Sequence, residues 1–285
     1  MNKTDNILSK VGDLNFKRRV LKMLDYLAIS DSDKVLDAGC GEGFYTMVFQ
    51  ELFNCEISAV DSDISILERA AKWLKNNGRV NIKQGDICEL TYPDNYFDKV
   101  VCSEVLEHIN DDTKATSELY RVTKPGGVLA VTVPNSNYPA LWDPLNKIRQ
   151  FLGLGHFNPK SEVWGGIWAY DHKRLYSPQE IRSLLEKAGF VVDKVEVLTH
   201  YGLPFNHLVL VLGKRFYTKL PVSESVKGAM EKFAWNERSN ESQTIFPKVI
   251  SSVFNVFKKV DELNNRDFDL KDSAMAISVK ARKPL

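Results

Sequence analysis

Hydrophobic positions follow two rhythms in the first part of the chain. Phe16, Val20, Leu21, Met23, Leu24 and Leu27 stand at helical spacing and predict an amphipathic helix over Leu14–Leu27. Short apolar runs then alternate with helical stripes. Strands are expected at Lys34–Asp37, Ile57–Val60, Val80–Lys83, Phe97–Cys102 and Val128–Val133, and helices at Phe44–Phe53, Ile64–Lys75 and Thr113–Val122. A series of this kind builds a mostly parallel sheet from βαβ units. Lys124-Pro125-Gly126-Gly127 reads as the turn before the fifth strand. Ser177-Pro178-Gln179-Glu180 combines an N-cap, a proline at the first helical position and an acid in the first turn, opening a helix that stops at Gly189. Phe190–Leu198 and Ala274–Val279 complete the strands.

Two long interruptions break the pattern. The connection Pro134–Tyr176 is rich in aromatics, among them Trp142, Phe151, Phe157, Trp164 and Trp168, and suits either ordinary packing or stacking against a sugar ring or apolar acceptor. The segment His200–Lys271 reads as an insertion between the last two strands. It holds the most apolar run, Leu203–Leu212, and a helical stripe of Phe246, Val249, Ile250, Val253, Phe254, Phe257 and Val260. Packing on the protein's own core competes there with a lid over an apolar substrate or a patch that touches a membrane. The expected organisation is a core over residues 1–199, a helical cap over 200–272 and the last core strand within 273–285.

At 285 residues and 44% hydrophobic content, the chain can bury one large core, or a core with a subdomain. A formal charge of +1 gives no whole-chain case for binding nucleic acid. Residues Met1–Lys10 are polar, and no run approaches the roughly 18 continuous apolar residues of a membrane span, so a cytoplasmic protein is expected, with peripheral membrane contact left open. Cys40, Cys55, Cys88 and Cys102 form no CxxC pair and read as free thiols.

The chemistry concentrates after the first strand, in Val35-Leu36-Asp37-Ala38-Gly39-Cys40-Gly41-Glu42-Gly43-Phe44. Alternate glycines admit a ligand to the backbone, and the following helix aims N–H groups and a positive dipole end at an anion. GxGxxG fails in either frame, because Phe44 and Thr46 occupy the required glycine positions, which disfavours a dinucleotide. Acids end the next strands at Asp61 and in Gln84-Gly85-Asp86-Ile87. Taken singly, Asp61 could cap a helix and Asp86 could form a turn; together they mark the sheet edge where open α/β folds bind ligands.

The DxGxGxG turn, with Phe97-Asp98-Lys99-Val100-Val101 and Leu119–Leu129, resembles the class I S-adenosylmethionine-dependent methyltransferases, with a methyltransferase type 11-like core. The resemblance implies a Rossmann-like α/β fold, a seven-stranded mostly parallel sheet whose last strand is antiparallel, with flanking helices. It implies S-adenosyl-L-methionine as cofactor, with Asp37 toward the methionine ammonium, Gly39, Gly41 and Gly43 making room, Asp61 on the ribose, Asp86 on the adenine amino group and Ile87 against the ring.

After the fourth strand, Glu104, Glu107 and His108 stand at i, i+3 and i+4 and share one face if the segment is helical. ExxEH resembles the metal motif of ubiquinone-pathway O-methyltransferases and small-RNA 2′-O-methyltransferases, the latter with a further histidine; His172 is the candidate here. Two readings follow. Glu104, Glu107, His108 and His172 hold Mg²⁺ or Mn²⁺ and activate a hydroxyl, or Glu104 contacts the cofactor, His108 acts without metal as general base and the His172 segment shapes the pocket. The expected activity is O-methylation of a hydroxyl on a small-molecule, glycan or lipid-linked acceptor. Metal-free N- or C-methylation and a non-catalytic cofactor-binding scaffold are the alternatives.

Overall fold

The structure, a computed structural model, describes residues 3–8, 14–74, 78–157, 166–168, 172–201 and 259–285. The run Leu203–Leu212 and the stripe from Phe246 to Phe257 lie outside them, as does Trp164. Helices are α1 Lys3–Leu8, α2 Leu14–Leu27, α3 Phe44–Leu52, α4 Ile64–Trp73, α5 Asp112–Val122, α6 Pro144–Phe151 and α7 Pro178–Lys187. Strands are β1 Lys34–Ala38, β2 Glu56–Asp61, β3 Val80–Gln84, β4 Phe97–Ser103, β5 Thr123–Pro134, β6 Val191–Leu198 and β7 Ala276–Arg282.

They form one seven-stranded sheet in the order β3-β2-β1-β4-β5-β7-β6. Strands β3, β2, β1, β4 and β5 pair in parallel, and β7 runs antiparallel to β5. The central strands are apolar on both faces: Val35, Leu36, Val100, Val101 and Cys102 are fully buried, as a parallel strand covered by helices on either side requires. The order reverses between β1 and β4, so the loops leaving those strands part and leave a crevice at their carboxyl ends.

The chain gathers into two compact units. One holds Arg19–Ser136, Lys173–Val197 and Ala276–Leu285, essentially the sheet and its helices. In it, the apolar face of α2 (Val20, Met23, Leu27) is buried, and Tyr26 hydroxyl hydrogen-bonds Glu196 on β6 and lies 3.2 Å from Ser278 Oγ on β7. The other unit holds Met1–Arg18, Asn137–His172 and Leu198–Met275. There the aromatic-rich connection joins the late segment: Ala274 N–H donates to the Asn137 carbonyl at 3.0 Å, and Asn137 Nδ2 donates to the Lys271 carbonyl at 3.0 Å.

Local signals explain the element ends. The ladder between β4 and β5 jumps from Phe97↔Thr123 to Lys99↔Val128, so Lys124–Gly127 bulge out and regular pairing resumes at Val128. Gly127 is required there, because a Cβ would sit 2.8 Å from the Lys124 carbonyl oxygen. At α7, Ser177 Oγ accepts from Glu180 N–H at 3.2 Å while the Glu180 carboxylate accepts from Ser177 N–H at 2.7 Å, a reciprocal capping box. Ser177→Ala is expected to lower unfolding free energy by about 1 kcal/mol, read as a smaller denaturant midpoint at unchanged slope.

Candidate functional site

The crevice begins at the joint between β1 and α3. Gly43 caps α3 and has no side chain to satisfy the helix's first N–H groups. Asp37 does so from inside the sheet: its Oδ2 accepts from Thr46 N–H at 3.0 Å and from Thr46 Oγ1 at 2.6 Å. The carboxylate is 2% exposed, and burial pushes its pKa up to about 6 despite the two Thr46 bonds. One oxygen of the expected ammonium partner is therefore already committed to holding the turn.

Gly39, Gly41 and Gly43 all have positive φ, and two show why glycine is needed. A Cβ on Gly39 would lie 2.4 Å from Val105 Cγ2, so the β1 turn packs directly on the segment after β4. A Cβ on Gly41 would meet nothing within 4 Å, which leaves open room beside that backbone. The turn is pinned to β2 by bonds from the N–H groups of Gly39 and Cys40 to the Val60 carbonyl, at 2.8 and 2.9 Å.

Asp61 ends β2 facing the same turn. Its Oδ2 accepts from Gly41 N–H at 2.9 Å and its Oδ1 from Asp63 N–H at 3.0 Å. Capping α4 falls to Asp63, which accepts from Ser65 N–H at 2.8 Å, so Asp61 is not the helix cap. Asp86 Oδ1 accepts from Cys88 N–H at 2.8 Å and organises the turn after β3, with Ile87 buried beside it. The structure thus places Asp37, Asp61 and the glycine turn together, and sets Asp86 and Ile87 at the end of β3, whose ladder runs beside β2 as far as Asp61↔Gln84.

The segment after β4 does not meet the condition of an α-helix on which a shared face depends. Glu104 takes a left-handed φ of +58°, its N–H donating to the Thr132 carbonyl at 2.9 Å, and only Leu106–His108 form a single 3₁₀ turn. Glu104, Glu107 and His108 therefore do not share one α-helical face. The Glu104 carboxylate turns to the buried Arg19 guanidinium of α2 and forms an ion pair. Glu107 is fully buried, and desolvation and the Glu104 charge push its pKa well up. His108 remains about a third exposed, with Nε2 4.0 Å from Glu107 Oε1.

Several residues absent from the sequence reading build this wall. Ser103 Oγ lies 3.1 Å from Tyr45 hydroxyl and 2.7 Å from Thr132 Oγ1. Tyr176 hydroxyl donates to Asp112 Oδ2 at 2.7 Å, and Lys173 N–H donates to the Glu107 carbonyl at 2.9 Å, which fixes the 3₁₀ turn. Arg19 carried a legible signal: it is the one cation in phase with the buried stripe Phe16, Val20, Met23 and Leu27. His172 lies in the other compact unit, where its Nδ1 is 2.6 Å from the Ile167 carbonyl oxygen.

Known proteins resemble this chain. The methyltransferase domain family matches residues 36–131, the span from β1 to β5. A probable S-adenosylmethionine-dependent methyltransferase from Mycolicibacterium smegmatis is 31% identical over 56% of this chain and 52% of its own length, so the chain spans about half of that relative. The ubiquinone/menaquinone biosynthesis C-methyltransferase UbiE of Haemophilus ducreyi is 30% identical over 68% of this chain and 76% of its own. A Haemonchus contortus phosphoethanolamine N-methyltransferase 2, solved with S-adenosyl-L-methionine, superposes over 95% of this chain and 53% of its own with a TM-score of 0.57 at 18% identity, which speaks to the fold. With a glycine turn pinned by Asp37 and Asp61 and a relative matched over three quarters of its length, the chain belongs to the class I S-adenosylmethionine-dependent methyltransferases.

Proposed function

We propose that this chain methylates an acidic hydroxyl on a small-molecule, glycan or lipid-linked acceptor, with His108 receiving the hydroxyl proton and Glu107 orienting the imidazole. The observation that carries this reading is the pair itself: a fully buried carboxylate 4.0 Å from a histidine that still reaches solvent, directly after β4. When bound, S-adenosyl-L-methionine supplies a methyl carbon made electrophilic by the adjoining sulfonium. The open room at Gly41, with the carboxylates of Asp37 and Asp61 around it, fits a ligand bearing an ammonium and a diol. The protein's remaining tasks are to grip, orient and take up one proton.

Glu107 suits that last task. Burial and the Glu104 charge oppose ionisation of Glu107, the Arg19 charge favours it, and an imidazolium at His108 adds a further opposite charge beside it. UbiE is named a C-methyltransferase, and that similarity favours a second reading in which the same pair removes a proton from an activated carbon. Both need a base and neither needs a metal. The ion pair with Arg19 also draws Glu104 away from a four-ligand metal set.

His108→Ala and Glu107→Gln are each expected to lower kcat by about 100-fold or more, with S-adenosylhomocysteine affinity kept within about twofold. Turnover is followed as S-adenosylhomocysteine release across phenolic, sugar and polyprenyl-linked hydroxyl acceptors, and unchanged kcat in both variants contradicts the base. Activity is expected to survive exhaustive chelation; loss restored by Mg²⁺ or Mn²⁺ would favour metal activation instead.

The raised Asp37 pKa gives a pH dependence with a definite sign. Below about pH 6 the carboxyl is neutral and offers an ammonium nothing; above it the carboxylate attracts. Affinity for S-adenosylhomocysteine is expected to rise roughly tenfold from pH 5 to pH 7 and to flatten in Asp37→Asn, measured by calorimetry. An identical profile in the variant would remove Asp37 from that role.

A further inference from the structure

Helix α6 is amphipathic the wrong way round for a surface helix. Two polar residues at its start face inward: Asn146 is fully buried and Asp143, the N-cap, is 4% exposed. The two are bonded to each other and to the backbone around them. Asn146 Nδ2 donates to Asp143 Oδ2 at 2.7 Å, Ile167 N–H donates to the same oxygen at 3.2 Å, and Phe157 N–H donates to Asn146 Oδ1 at 2.5 Å. The inner face is thereby fixed, and the apolar side chains have nowhere to go but out.

Leu145 and Ile148 stand one turn apart on α6, with Leu141 before the helix and Leu152 at its end, and the four are between 47% and 62% exposed. Phe151 is 90% exposed beside them, and Leu154 extends the patch through the following turn. Contiguous apolar surface of this kind marks an interaction site. Its charge selects the partner. From residue 141 to 154 the chain carries Arg149, Lys147, whose ammonium lies 4.0 Å over the Tyr138 ring, and one acid, Asp143, which is buried. Two copies of this chain meeting here would set cations against cations with no exposed acid in the segment to pair them, whereas a negatively charged apolar medium satisfies both features.

We propose that α6 and its flanks, residues 141–154, seat on the surface of a membrane containing anionic lipid, with Ile148, Phe151 and Leu152 entering the acyl boundary. No helix among the described residues is long and apolar enough to cross a membrane, so this is contact in the plane of the interface. The inference stands apart from the catalytic reading, because it uses none of the residues placed in the crevice.

The test is co-sedimentation of the full chain with phosphatidylcholine vesicles, with and without phosphatidylglycerol, comparing wild type, Phe151→Ser and the double change Ile148→Ser with Phe151→Ser. Both side chains face solvent, so the thermal midpoint and S-adenosylhomocysteine titration of the variants should match wild type. Wild type is expected to pellet with the anionic vesicles, the single variant to bind less and the double variant about tenfold less. Absence of wild-type binding to anionic vesicles, equal binding by all three proteins, or a wild-type dimer in analytical ultracentrifugation that the single variant dissolves would each overturn the proposal.

Discussion

The bond from a buried carboxylate in β1 to the first turn of α3 sets the geometry of everything at the sheet's carboxyl edge. A glycine at the helix cap leaves that turn without a side-chain acceptor, and Asp37 replaces it from one strand away. The cost is a desolvated acid, visible in its raised pKa. What it secures is a turn of three left-handed glycines held at both ends, by Asp37 behind and by Asp61 and the Val60 carbonyl in front. Because Gly39 packs against Val105, the same constraint reaches the segment after β4 that carries Glu107 and His108. The glycine turn and the segment after β4 thus meet at one close contact.

The acids along that edge each have partners that offset their charge. Asp37 has the hydroxyl and N–H of Thr46, Asp61 two backbone N–H groups, and Glu104 the Arg19 guanidinium. Glu107 is fully buried, where desolvation and the Glu104 charge oppose its ionisation while a backbone hydrogen bond and the Arg19 charge favour it.

The sheet was legible because each βαβ unit declares itself locally, through an apolar run, a turn and a helical stripe. The acids Asp37, Asp61 and Asp86 were legible for the same reason, as strand ends. Spacing misled at Glu104, where regular i, i+3, i+4 periodicity assumes a helix and a single left-handed residue cancels it. Arg19 and Tyr176 act through partners far along the chain, Glu104 and Asp112, and no local pattern encodes such pairs. Nor could periodicity say which way α6 faces: its stripe is the same whether the apolar side is buried or exposed, and the Asp143–Asn146 network decides.

Calorimetric titration with S-adenosylhomocysteine, alongside NADH and repeated on Asp61→Ala, tests most directly whether the strand-end carboxylates and glycine turn form the cofactor site. Binding of S-adenosylhomocysteine alone, lost in the variant while the fold is retained, is the predicted result. Failure of the wild type to bind it, or undiminished binding by Asp61→Ala, would contradict the account at its foundation.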